Sequence, residues 1–118
     1  PPRSTLFPYT TLFRSPVHGI AHITGGGLTG NIPRVLPEGL AVRLDRGAWT
    51  RGPVWDWIQR TGRIEDAEMH RTFNCGIGMT LQVPAEAADR ALELLAGHGQ
   101  TATIIGEVTR GAGEVAIG

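Results

Sequence analysis

The chain reads as an α/β domain of the α+β sandwich kind, a small mixed β-sheet covered by helices, and three observations say so. Its 118 residues are 41% hydrophobic and 19% charged, the balance of one modest core rather than two. Alternation at Ile77, Met79, Leu81 and Val83 against Gly76, Gly78, Thr80 and Gln82 marks a strand. Directly after it, Ala88, Ala91, Leu92 and Leu95 share one helical stripe. Segments of these two periods alternate as β-α-β-α-α-β-α-β, which packs helices on a sheet.

In chain order, the β-branched run from Val17 to Thr24 predicts an extended segment that stops at Gly25-Gly26-Gly27. Asn31 is an N-cap for a short helix with Pro33 in its first turn, an apolar face of Ile32, Val35 and Leu36, and Pro37 as its stop. Leu40, Val42 and Leu44 alternate with Ala41, Arg43 and Asp45 as a half-buried strand. Pro53 opens a second helix with Val54, Trp57, Ile58 and Thr61 on one face and Gly62 as its left-handed cap. A third spans about Glu65 to Arg71, its acids at the positive end of the dipole. The strand at Ile77–Val83 comes next, then the helix opened by Pro84 and closed by Gly97 and Gly99. Thr101 to Val108 forms the last strand, and residues 111–118 are expected to be a flexible tail.

Composition removes several chemistries. All eleven basic residues are Arg, so a P-loop lysine, a Schiff-base lysine and an ammonium general base are excluded together. The only serines are Ser4 and Ser15, which excludes a serine hydrolase built on the body of the chain. One cysteine, Cys75, forms neither an internal disulfide nor a multi-thiolate zinc site, and fits a reducing, cytoplasmic setting. Eleven acids balance eleven Arg, so neither nucleic acid nor a membrane is an expected partner. Seventeen glycines are about twice the usual share of roughly 7%, which directs attention to backbone geometry.

Residues 1–15 stand apart. The stretch from Thr5 to Ser15 resembles the direct translation of a common DNA-sequencing library adapter. It sustains neither period, Pro8 interrupts any helix, and a secretory signal would need a continuous apolar region and a small-residue cleavage site. We take 1–15 as foreign and expect it to be disordered, 16–110 as the domain and 111–118 as the tail. No segment has the roughly 20 apolar residues of a membrane span, so a soluble protein is expected.

Few residues can carry chemistry. Successive backbone amides at Gly25, Gly26 and Gly27 have no Cβ to shield them and can turn toward one anion, although three glycines in a strained turn need no ligand. His18 and His22 share a face, but two histidines without a suitably spaced third ligand do not make a zinc site, and no metal is expected. His22, three residues before the glycines, is either a buried or hydrogen-bonded core histidine or a group that touches a bound anion or acts as acid or base. Cys75 beside Asn74 and near His70 suggests a thiol nucleophile, against the plainer reading of a packed side chain. Trp49, Trp55 and Trp57 are a stacking surface or, with no basic patch beside them, core and interface anchors.

Four segments together carry a family resemblance: Ala21-His-Ile-Thr-Gly-Gly-Gly-Leu28, Asn31-Ile-Pro-Arg-Val-Leu-Pro-Glu-Gly39, Arg71-Thr-Phe-Asn-Cys-Gly-Ile-Gly-Met79 and Ile105-Gly-Glu-Val108. In this order they resemble the phosphoribosylformylglycinamidine cyclo-ligase (aminoimidazole ribonucleotide synthetase) family, over Pro16 to about Thr109, and its C-terminal domain only. Gly30 stands where that family often has Glu, and Cys75 where Met is more usual. Thiamine-monophosphate kinase, selenophosphate synthetase and a hydrogenase maturation factor share the two-domain plan, with motifs that fit this chain less well.

The resemblance implies purine biosynthesis. ATP phosphorylates the formamide oxygen of formylglycinamidine ribonucleotide, an internal nitrogen attacks that carbon, phosphate leaves and the imidazole closes, with no covalent enzyme nucleophile. It implies that Gly25, Gly26 and Gly27 cradle a substrate phosphate, that Thr24 and Asn74 line the cleft, and that His22 is the catalytic candidate. Asn31 and Arg34 are equally well local caps and packing. ATP and Mg2+ would be held mainly by an N-terminal domain that the resemblance leaves out, which is also the expected partner and the dimer-forming part. The chain alone is therefore expected not to turn over. A non-catalytic domain that docks a partner through exposed Trp and Leu is the alternative.

Overall fold

The computed structural model describes residues 17–118, so the reading of 1–15 lies outside the described residues. Among the described residues there are five strands, β1 (Gly19–His22), β2 (Leu40–Leu44), β3 (Met79–Gln82), β4 (Gly106–Arg110) and β5 (Val115–Ile117), and four α-helices, α1 (Gly27–Asn31), α2 (Pro53–Gly62), α3 (Asp66–Thr72) and α4 (Ala88–Gly97). β1 pairs with β3, and a three-stranded sheet has the order β4-β2-β5. β2 is antiparallel to β4 and parallel to β5, so this sheet is mixed, as the expected fold requires. No described helix is long and apolar enough to cross a membrane.

The chain divides into two compact units. The larger runs over Ile20–Thr80 and Ile105–Gly118. Its core joins Ala21 and Ile23, Leu28 and Ile32, and Val42 and Leu44, with Trp49, Ile77, Ile105, Val115 and Ile117 packed against them. Burying each Leu, Ile or Val side chain of this cluster contributes about 1.5–3 kcal/mol. In the smaller unit, the described residues of which include Leu81–Ile104, α4 turns Ala91 inward with Ala88, Leu92 and Leu95 half-buried, the predicted stripe.

Several expectations need correction. The tail is not a tail throughout: Val42 faces Val115 and Leu44 faces Ile117 across a parallel ladder, and the Gly118 amide donates to the Leu44 carbonyl at 3.0 Å. A β-branched Val-Ala-Ile segment completes the open edge of β2. The last strand predicted over Thr101–Val108 is displaced, since β4 occupies Gly106–Arg110 in register with β2. The helix starts five residues earlier than expected, at Gly27, and tightens into a 3-10 turn over Ile32–Val35, to which Asn31 gives no side-chain cap bond. α2 buries none of its residues, and Val54 and Trp57 are 55% and 59% exposed. It is tied down instead by Trp55 against Phe73, ring centroids 5.5 Å apart, and by Gln59, whose Nε2 donates to Asp66 Oδ1 at 2.6 Å. Its left-handed cap is Arg63 at φ 53°, one residue past the glycine predicted for the role. In β3 the inward residue is Thr80, at 7% exposure, while Met79 is 60% exposed. The cause is the turn before it: Cys75 and Gly76 both have positive φ, and the Ile77 amide donates to the Asn74 carbonyl, so the alternation predicted from Ile77 does not run through.

Candidate functional site

Core packing positions the glycine loop. Ile23 at 3% and Leu28 at 1% exposure anchor its two ends in the larger unit. Between them Thr24 and Gly25 are exposed, Gly26 is half-buried and Gly27 is buried. Gly26 at φ 101° and Gly27 at φ 62° occupy left-handed backbone that a side chain would strain. The three glycines are not equivalent. The Gly27 amide donates to the Thr24 carbonyl at 3.0 Å, so it is committed within the turn. A Cβ at Gly27 would meet the His70 carbonyl oxygen at 1.9 Å and that of Phe73 at 2.6 Å, so Gly27 exists to let the loop pack on the end of α3. The amides of Gly25 and Gly26 have no backbone partner among the described residues, and a Cβ at Gly25 would point into open space.

Asn31 lies under this loop at 3% exposure. Its Nδ2 donates to the Gly27 carbonyl at 2.8 Å, the Thr24 carbonyl at 3.2 Å and the Gly25 carbonyl at 3.3 Å, and its Oδ1 accepts from Thr24 Oγ1 at 3.2 Å. Thr29 Oγ1 lies 3.3 Å from both the Gly26 and the His70 carbonyl, stitching the loop to α3. The sequence leaves Asn31 evenly balanced between a cleft role and a local cap or packing residue; the usable signal is its position four residues after Gly27 on a helical segment, which returns its side chain to the loop.

His22 ends β1 and is exposed, which rules out the buried alternative for it. Asn74 is half-buried, and its Oδ1 accepts from the Gly76 amide at 2.9 Å, shaping the turn that carries Cys75 at φ 51°. Cys75 is fully buried with its Sγ 3.5 Å from the Met69 carbonyl, and burial pushes its thiol pKa up, the opposite of an activated nucleophile. The structure thus brings the glycine loop to the end of α3 and Phe73, directly before Asn74. The tryptophans separate: Trp49 donates its indole N–H to the Cys75 carbonyl at 3.1 Å, Trp55 packs on Phe73, and Trp57 is exposed.

His70 is 3% exposed, meets Trp49 edge-on with ring centroids 6.2 Å apart, and has no partner for either ring nitrogen among the described residues. Burial lowers its pKa, Arg46 and Arg51 lower it further, and Asp66 opposes them. A cavity of about 180 Å³ borders it, lined also by Thr29, Arg46, Asp66, Val115 and Ile117. Arg46 and Asp66 form an ion pair there, and the Gln59 hydrogen bond, reinforced by Arg46, lowers the Asp66 pKa. Both Asp66 oxygens are thereby engaged.

Among the described residues no three His, Cys, Asp or Glu side chains converge on a point. With no Lys in the chain either, these residues do not fit a Mg2+–nucleotide site.

Residues 9–118 match the family model described as AIR synthase related protein, C-terminal domain; the match takes in part of the opening segment. The chain is 49% identical over 109 residues to the phosphoribosylformylglycinamidine cyclo-ligase of Cupriavidus metallidurans, covering 92% of this chain and 31% of that protein. It is 55% identical over 97 residues to the chloroplastic phosphoribosylformylglycinamidine cyclo-ligase of Arabidopsis thaliana, covering 82% of this chain and 25% of that protein. The chain therefore spans about a quarter to a third of the length of these relatives. With a mixed sheet, covering helices and a match over nearly its whole length, the chain belongs to the AIR synthase related protein, C-terminal domain family.

Proposed function

We propose that the chain is the C-terminal part of a cytoplasmic phosphoribosylformylglycinamidine cyclo-ligase, which converts formylglycinamidine ribonucleotide to aminoimidazole ribonucleotide with release of ADP and phosphate in purine biosynthesis. The observation that carries the site is the Thr24–Gly27 loop, whose Gly25 and Gly26 amides have no backbone partner among the described residues and sit on accessible residues. Each amide donated to a phosphate oxygen contributes about 1.5–3 kcal/mol, enough for two to hold a phosphate ester weakly without Lys. Gly27 supports that cradle by packing rather than by donating. Thr24 lines the cleft, as does Asn74, whose Oδ1 is committed to its turn and whose Nδ2 remains for a ligand. His22, two residues before Thr24 and exposed, is the acid–base candidate. ATP and Mg2+ are bound mainly by the remainder of the parent chain, which also forms the homodimer, so this chain alone does not turn over.

Calorimetric titration with the ribonucleotide substrate and with inorganic phosphate tests the cradle. Gly25→Val fills open space without a backbone clash, so it should leave the fold intact and abolish measurable binding. Equal affinity in both proteins refutes the assignment.

A second reading, a non-catalytic docking domain, is favoured by the exposure of Val54 and Trp57 on α2. A defined complex with an unrelated protein and no response to phosphate would support it.

A further inference from the structure

Asn31 makes no cap bond to the 3-10 turn that follows it; its side-chain donors run backward to three carbonyls of the glycine loop. No described peptide bond is cis, and in a trans peptide the C=O and the next residue's N–H point in opposite directions. The Thr24 carbonyl drawn onto Asn31 therefore turns the Gly25 amide away from it, and the Gly25 carbonyl does the same for the Gly26 amide. Neither of these amides has a backbone partner among the described residues. The same contacts draw the partial negative charge of three carbonyl oxygens inward, away from the accessible side of the loop, where it would repel an anion. Thr24 Oγ1, bonded to Asn31 Oδ1, sets which end of the carboxamide faces the carbonyls.

We infer that Asn31 is a positioning residue, which from inside the fold holds the Gly25 and Gly26 amides turned outward toward a phosphate ester. The inference rests on the phosphate-cradle reading proposed above and adds to it the side chain that makes the cradle.

The test is a titration of the 15N-labelled chain with inorganic phosphate, following the Gly25 and Gly26 amide resonances in wild type, Asn31→Ala and Asn31→Ser, with a melting curve for each. Wild type should show saturable shifts at both glycines. Asn31→Ala should weaken binding about tenfold or more, the scale of one charge-assisted hydrogen bond, with α4 resonances unchanged. Asn31→Ser, which keeps one hydroxyl donor, should fall between. A purely structural role predicts a lower melting temperature with wild-type affinity in the folded protein, and affinities within twofold of wild type overturn the inference alone. Absence of any saturable shift in wild type overturns the cradle reading and the inference with it. Should neither variant fold, the wild-type titration still decides: the Asn31 side-chain amide signals should move together with those of Gly25 and Gly26, and their silence overturns the inference.

Discussion

The missing Cβ of Gly27 is what allows the glycine loop to lie on the carbonyl of His70, because a methyl built there would stand 1.9 Å from that oxygen. The contact joins two segments 43 residues apart in sequence, the loop before α1 and the end of α3.

Gly27→Ala should lower stability by about 3 kcal/mol or more, since both the backbone clash and the positive φ act against it. Gly25→Ala, with open space around it, should stay within about 0.5 kcal/mol of wild type. Urea unfolding of the two variants checks the pair, and equal losses would show that the loop does not pack as described.

Acid should weaken the fold through His70. Its folded pKa is depressed by burial and by Arg46 and Arg51, while in the unfolded chain it returns to about 6.5. The unfolded state therefore binds the proton more readily, so this stability is present above about pH 6.5 and is lost as pH falls toward the folded pKa. His70→Phe, which keeps a ring against Trp49, should flatten the drop in urea midpoint between pH 7.5 and 5.5. An unchanged drop would assign it to other groups.

Arg63 holds a left-handed conformation at φ 53° and ψ 48°. Arg63→Gly relieves that backbone, and the folded-state gain exceeds the added unfolded-state entropy, so stability should rise by about 0.5 kcal/mol. A fall in the thermal midpoint would contradict the cap assignment.

What the sequence made legible follows from how local each signal is. The α4 stripe and the strand at Leu40–Leu44 depend on side chains a few residues apart, and both stand. β5 leaves no signal in the sequence because Val115-Ala-Ile117 is too short to show a period and becomes a strand only through its partner β2. The β3 face was misassigned because the turn at Asn74–Ile77 interrupts the alternation, and a left-handed Cys75 leaves no mark in sequence. At the site, glycine content located the loop but could not divide the labour among Gly25, Gly26 and Gly27, which is set by His70 and Phe73 from a distant segment. His70 and Asn31 gained their importance only from burial, a tertiary property.

The most direct test of the account joins residues 17–118 to the remainder of the Cupriavidus metallidurans relative, in place of that protein's own matching segment, and measures ADP release dependent on formylglycinamidine ribonucleotide. Turnover is expected from the chimera and none from the 118-residue chain alone. A folded chimera without turnover, beside an active parent, or turnover by the isolated chain, would contradict it.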